Sequence, residues 1–339
     1  MKFLLNFNTP YYLIFFVTSK CNAKCEFCFN YQRSLENHKI LSPNEIEKIA
    51  QNFKSLKIIS FTGGEPFLRP DLEDIIQIFF KSGYAEYFNL HTNGYNPEKL
   101  KKIIETIIKN KNFKYFYFCL SFDGLFEEHD RIRGFPGLFE KNVECLSIIS
   151  YYKKKDSRLE IMSGTVITPD NINKCRDVDS YISKKYDCDN SVNIQRNIDE
   201  KFKNVLLKEF IDYSKEKTNL RNFPFFSVKR SKNAIDRVLP ELIEKHITTG
   251  NRSVRCVGGS NLLVMFENGE IRPCEFLQET FGNIREFDYD VNKVIQTPAA
   301  LKIKRYIKEK KCCCPWENAL PFNIIYSPEY YLKILLNLF

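Results

Sequence analysis

The sequence predicts an α/β protein: a parallel sheet curved into a partial (β/α)6 barrel, followed by a C-terminal extension made of a β-hairpin plus a helix. Three observations predict it. Strand-like and helix-like segments alternate six times between residues 11 and 198, the pattern of parallel strands joined by helical crossovers. Clusters of glycines and polar residues follow four of the strand-like segments, where such folds carry their chemistry. The alternation stops near residue 200, and Asn268-Gly269 then marks a hairpin, because that dipeptide suits the tightest hairpin turn.

Residues 11–18 form an aromatic and β-branched run, read as the first strand. Ser42 and Pro43 open a helix running to about residue 56, since Ser caps and Pro suits the first turn. Residues 57–61 are a short buried strand. Pro70 and Asp71 open a second helix; Leu72, Ile75, Ile76 and Phe79 fall on one face, and Gly83 ends it. Strands at 87–91 and 115–121 alternate with helices at 97–109 and 138–152. Residues 159–167 and 171–185 repeat the unit, and 191–198 are the sixth strand. Helical stretches follow at 202–215 and 234–245. The hairpin pairs residues 261–267 with 270–273. The chain therefore divides into 1–200, 201–250 and 251–339: a partial barrel, a helical linker and the extension.

At 339 residues the chain is long enough for a full core. Its 43% hydrophobic and 27% charged residues are ordinary for a globular protein, which excludes disorder, collagen and coiled coil as the main state. The net charge of +9 is scattered, apart from residues 153–155 and 302–311. With no aromatic ribonucleoprotein box or helix-turn-helix signature, nucleic acid is not an expected partner. The apolar runs at 11–17 and 330–339 are too short to span a bilayer. Asn6, Asn8 and Pro10 interrupt the N-terminal apolar residues, so neither a signal peptide nor membrane attachment is expected. The expected location is cytoplasmic. The twelve cysteines gather mainly at two sites, which in such a protein points to metal binding over disulfides.

Cys21, Cys25 and Cys28 are the first site. Three thiolates in a short loop hold three irons of a cubane cluster and leave the fourth open to another ligand. Zinc or buried free thiols are the alternatives; zinc would want a fourth Cys or His, and His38 is ten residues on. Phe27 stands just before the third cysteine, Phe61-Thr62-Gly63-Gly64-Glu65-Pro66 follows the second strand, and His91-Thr92-Asn93-Gly94 follows the third. After the fourth come Ser121-Phe122-Asp123-Gly124, His129-Asp130 and Arg131-Ile132-Arg133-Gly134. In this order the motifs resemble the radical S-adenosylmethionine (radical SAM) superfamily, over about residues 10–200.

The resemblance implies a [4Fe–4S] cluster held by the three cysteines, with S-adenosylmethionine chelating the open iron. Gly63 and Gly64 would let the backbone approach the methionine, there being no Cβ in the way. Glu65 would accept from its ammonium in a charge-assisted bond. Asn93 would shape the loop or hold the ribose. Ser121 and Asp123 would contact ribose or carboxylate, and Arg133 would pair with the carboxylate, a surface ion pair being the alternative for Arg133. His129 and Asp130 are read as organising the loop.

The second site holds Cys256, Cys274, Cys312, Cys313 and Cys314. Cys256, twelve residues, Gly269, four residues and Cys274, with Phe281-Gly282-Asn283-Ile284 behind, is similar to the opening of the auxiliary-cluster extension called SPASM. With five candidate cysteines, the chain looks like the shorter twitch form with one auxiliary [4Fe–4S] cluster. In an extended segment residues i and i+2 face the same way, so Cys312 and Cys314 join Cys256 and Cys274 as ligands and Cys313 points away. A structural zinc knuckle is the alternative. Cys119, Cys145, Cys175 and Cys188 have no metal-like spacing and are read as buried thiols.

The expected activity is reductive cleavage of S-adenosylmethionine to a 5′-deoxyadenosyl radical that abstracts hydrogen from a peptide or protein substrate. The alternative is oxidation or epimerisation of a small-molecule sugar or antibiotic intermediate; a non-catalytic metal-binding protein is the third reading. The implied electron donor is a flavodoxin or ferredoxin.

Overall fold

The first six strands lie side by side in chain order: β1 (Tyr12–Thr18), β2 (Ile58–Gly63), β3 (Tyr87–Thr92), β4 (Tyr115–Ser121), β5 (Leu159–Ile167) and β6 (Asp189–Ile194), each parallel to the next. The computed structural model describes residues 9–36, 39–196, 199–219, 234–309, 312, 314 and 319–337. Helices α2 (Pro43–Asn52), α3 (Leu72–Ser82), α4 (Pro97–Ile107), α6 (Leu138–Lys153) and α7 (Cys175–Tyr186) make the crossovers. A short α1 (Tyr31–Ser34) and an unexpected α5 (Phe126–Arg133) lie in loops after β1 and β4, and α8 (Glu200–Asn219) follows β6.

Alternation assigns the two faces of the sheet. Phe88 and Leu90 of β3, and Phe116, Phe118 and Leu120 of β4, are fully buried with the helices in the main core. The intervening His91, Cys119 and Ser121 are half-buried on the other, concave face. Helix starts follow the sequence: Ser42 accepts from the Glu45 N–H at the start of α2, Glu45 accepts from the Ser42 N–H, and Pro43 opens the first turn.

The extension does not stand apart. β7 (Leu262–Met265) pairs parallel with β1, and β8 (Glu270–Arg272) and β9 (Gly282–Asn283) continue antiparallel, giving one nine-stranded sheet with β6 and β9 at its edges. The sheet is therefore a partial barrel, open between those edges. Ion pairs fasten the extension, two of them at the α1 and α2 side. Arg285 reaches Glu45 of α2 at 2.6 Å, and Arg33 reaches the fully buried Glu267 at 3.0 Å. Arg285 holds the Glu45 carboxyl down to about 2.

Several expected elements shift, two helix starts among them. The helix read at 234–245 is interrupted; a helix starts at Leu239, with Pro240 in its first turn, and runs to Thr249. Proline is tolerated there because it has no N–H to contribute further in. α7 starts at Cys175, not 171, because the Asn171 side chain accepts from the Thr168 N–H and caps a turn instead. His38, residues 197–198, Cys313 and residues 315–318 lie outside the described residues. No helix among the described residues is long and apolar enough to cross a membrane.

Candidate active site

A cavity of about 280 Å³ opens on the concave face, and Cys21, Cys25 and Cys28 all line it, with Gly63, Gly64, Glu65, Asn93, Ser121 and Arg133. The loop carrying the cysteines is held from several sides. The Gly64 N–H donates to Thr18 O and the Glu65 N–H to Lys20 O, both at 2.8 Å. The Lys24 N–H donates to Arg133 O, and Asn93 Nδ2 to Asn22 Oδ1. Arg69, 2% exposed, donates to Val17 O and Leu41 O while its Nε bonds Asp71. Nothing in its spacing marks Arg69 as the residue that pins the end of β1.

The two glycines serve this packing. A Cβ on Gly63 would stand 2.2 Å from Thr18 O, and one on Gly64 would stand 2.1 Å from Lys20 O. The glycines thus let the chain leading into the cysteine loop sit against the end of β2, while both still line the cavity. Glu65, 1% exposed, is likewise committed inward. Its Oε1 accepts from Phe67 N–H and Thr92 Oγ1, and its Oε2 accepts from Asn93 N–H at 2.7 Å. Burial pushes this carboxyl up to about 7 against the pull of those donors. A carboxylate offers about four acceptor positions, so one remains for a ligand on the cavity side.

Asp123 departs from its expected place. It is fully buried and does not line the cavity. Its carboxylate pairs with Arg133 Nε at 2.5 Å and accepts from the Val166 N–H at 2.8 Å. It therefore positions Arg133, because a buried guanidinium needs a counter-ion behind it. Arg133 lines the cavity, lies over the Phe27 ring at 5.3 Å and comes within 3.8 Å of Cys25 Sγ. Burial pushes the Cys25 thiol up while Arg133 opposes that, and burial raises Cys21 to about 11.

His129 and Asp130 organise the loop. Asp130 accepts from the Phe139 N–H at 2.8 Å and from Gly137, capping the start of α6. His129 Nδ1 accepts from the Asp123 N–H at 3.1 Å, and burial drives the imidazole down to about 3. The folded chain thus binds fewer protons at His129 than the unfolded chain between about pH 3 and 6.5. Stability is expected to fall as pH drops through that window, by up to about 1.4 kcal/mol per unit from this group. Urea unfolding at stepped pH, compared with His129→Gln, measures it; the variant should lose that part of the slope.

The cavity is also lined by Tyr12, Ser60, His91, Arg196 and Glu275. Tyr12 Oη and Ser60 Oγ are 2.9 Å apart, and Asn89 Nδ2 donates to Ser60 Oγ. Burial lowers the His91 imidazole below its usual value, with Glu275 opposing. Arg196 and Glu275 carry no motif, and their pairing joins β6 to the extension across 79 residues.

A second cavity of about 130 Å³ is lined by Cys256, Cys274, Cys312 and Cys314 together. Backbone N–H groups point at its sulfurs: Gly258 at Cys256 Sγ and Leu277 at Cys274 Sγ, both 3.4 Å. Arg252 Nη1 lies 3.4 Å from Cys312 Sγ. Of the remaining cysteines, Cys145, Cys175 and Cys188 are buried, while Cys119 is half-buried on the concave face.

The donor sets fit iron–sulfur clusters. Among the described residues no three Cys, His, Asp or Glu side chains converge on a position for a single metal ion. The thiols instead share cavities, as when each binds its own iron of a larger group. N–H groups and guanidinium groups aimed at the sulfurs are the hydrogen bonds and charges that stabilise thiolate ligands.

The family model of the radical SAM superfamily matches residues 15–177. The chain is 37% identical to the GTP 3′,8-cyclase of Aquifex aeolicus over 102 residues, 27% of this chain and 31% of that protein. It is 24% identical to the AdoMet-dependent heme synthase of Oleidesulfovibrio alaskensis over 299 residues, 80% of this chain and 71% of that one. Among solved structures, anSMEcpe with bound S-adenosylmethionine has a TM-score of 0.62 at 18% identity, covering 97% of this chain and 96% of that one. SuiB of Streptococcus suis with S-adenosylmethionine scores 0.60 at 18% identity, covering 88% and 66%. Both have also been solved with peptides bound, SuiB with its precursor peptide SuiA. Residues 15–177 therefore match the radical SAM superfamily, whose cofactors are a [4Fe–4S] cluster and S-adenosylmethionine, and the fold of the chain is that of anSMEcpe and SuiB.

Proposed function

We propose that this radical SAM enzyme modifies a peptide or protein, with its cluster on Cys21, Cys25 and Cys28 and its S-adenosylmethionine beside Gly63, Gly64 and Glu65. One observation carries the reading: a single cavity runs from the cysteine triad to Glu275, which directly follows Cys274 of the extension. Substrate space therefore lies between the sheet and the extension, in a fold shared along 97% of the chain with a protein solved with a bound peptide. When bound, the cluster and S-adenosylmethionine supply a one-electron cleavage of the sulfonium and, from it, hydrogen abstraction. The chain's own residues orient and enclose. Arg133, steadied by Asp123, offers its guanidinium to the methionine carboxylate. Glu65 presents its free acceptor position to the ammonium. Asn93 and Ser121 offer polar contacts to the ribose. An electron carrier such as a flavodoxin or ferredoxin completes the turnover.

In this reading residues 1–200 are the catalytic core, 201–250 a linker and 251–339 the auxiliary unit. Cys256, Cys274, Cys312 and Cys314 hold one auxiliary [4Fe–4S] cluster. Their four thiolates saturate it, so that cluster carries electrons or supports structure and binds no substrate through an iron. Cys313→Ser is expected to keep the auxiliary signal in electron paramagnetic resonance, whereas Cys312→Ser and Cys314→Ser each lose most of it.

The likeness to the heme synthase over 80% of the chain favours a second reading, a small-molecule substrate. The two are separated by measuring 5′-deoxyadenosine formed by reconstituted enzyme with a synthetic peptide pool, or with tetrapyrroles and GTP. Peptide-stimulated formation with a changed peptide mass supports the first reading; stimulation by the small molecules alone overturns it.

A further inference from the structure

The cavity also holds a side chain with no task in the reading above. Arg196 lies just past β6, its guanidinium carbon 3.9 Å from the Phe29 ring centre and 4.6 Å from that of Phe276. It also pairs with Glu275. Phe29 follows Cys28, and Glu275 and Phe276 follow Cys274, so the clamp draws on the triad loop, the sheet and the extension at once. A guanidinium stacked against two rings and tethered by a carboxylate has a fixed plane. Its Nη1 is buried and donates to no atom among the described residues. A buried donor without an acceptor is costly, and native proteins keep few of them without a reason. His91 lines the same cavity.

We infer that Arg196 is the substrate anchor of this cavity, its Nη1 donating to a main-chain carbonyl oxygen of a peptide, with His91 facing the same amide. The inference rests on the peptide reading. Glu275 already balances the guanidinium charge, so what Arg196 has left to offer is a directed N–H donor, not net charge. That suits a neutral amide better than a carboxylate.

The test is a ligand-observed NMR titration of the reconstituted full-length protein with two probes, N-acetylglycine N-methylamide and acetate, up to about 50 mM. Saturable binding of the amide is expected, weakened ten-fold or more in Arg196→Gln and also in Arg196→Lys, which keeps the charge but loses the planar fork. Acetate should bind at least ten-fold more weakly than the amide. Iron and sulfide content and the melting temperature establish that each variant is folded and loaded. Amide binding that survives both substitutions overturns the Arg196 anchor and leaves the peptide reading standing. Arg196-dependent binding of acetate in place of the amide overturns the peptide reading instead. No saturable binding of either probe overturns the anchor.

Discussion

Replacing Cys21, Cys25 and Cys28 together by alanine is expected to halve the iron of the reconstituted protein, from about eight to about four atoms per chain. The geometry behind this is the separation of the thiols into two cavities. The triad lines the one on the concave face, and Cys256, Cys274, Cys312 and Cys314 line the other. Each cubane is assembled on its own set, so loss of one leaves the other. The reciprocal variant, Cys256→Ala with Cys274→Ala, should also keep about four irons. Metal and labile-sulfide analysis reads both. Cys145→Ala is the control: its Sγ donates to Gly94 O at 3.3 Å inside the core, and its loss should leave the iron unchanged. If the triad variant retained all its iron, or if both variants lost everything, independent sites would be ruled out.

The second large effect is expected at a residue that does not line the cavity. Asp123→Ala removes the counter-ion of Arg133 and leaves a buried guanidinium, 12% exposed, facing apolar surroundings. Breaking a buried pair from one side costs about 3–5 kcal/mol. The carboxylate also holds the Val166 N–H, and its backbone bonds to His129 and Asn171 pass through the same loop. Urea unfolding of the cluster-free protein measures the loss; Asp123→Asn, which keeps a hydrogen-bonding group of the same shape, should lose less. A change under about 1 kcal/mol, the worth of an exposed pair, would mean that Arg133 finds another partner.

Much of this was legible in the sequence. Strand-helix alternation located β1 to β6 because strands such as β1 are mainly apolar or, like β3 and β4, alternate, and α2 and α4 start with a capping side chain and a proline. What periodicity lacks is pairing partners, so the hairpin was legible but its parallel seam with β1 was not. At the site, the thiols and glycines were legible as motifs, but a further reason for the glycines was not. They make room for the Thr18 and Lys20 carbonyls, a backbone contact that no side-chain pattern records. Asp123 was read as facing a ligand because the motif gives position along a strand end, whereas the turn into α5 directs its side chain behind Arg133. Arg69, Arg196 and Glu275 left no local trace, since each acts through partners far away in the chain.

The central claim is that the three-cysteine cavity cleaves S-adenosylmethionine. The most direct measurement is chromatography of the products after the anaerobically reconstituted protein is reduced with dithionite in the presence of S-adenosylmethionine. The expected result is 5′-deoxyadenosine and methionine in equal amounts, formed slowly without substrate and absent from the Cys21/Cys25/Cys28→Ala variant. A protein carrying its full complement of iron and sulfide that yields no 5′-deoxyadenosine, or one that binds stoichiometric zinc without labile sulfide, would contradict it.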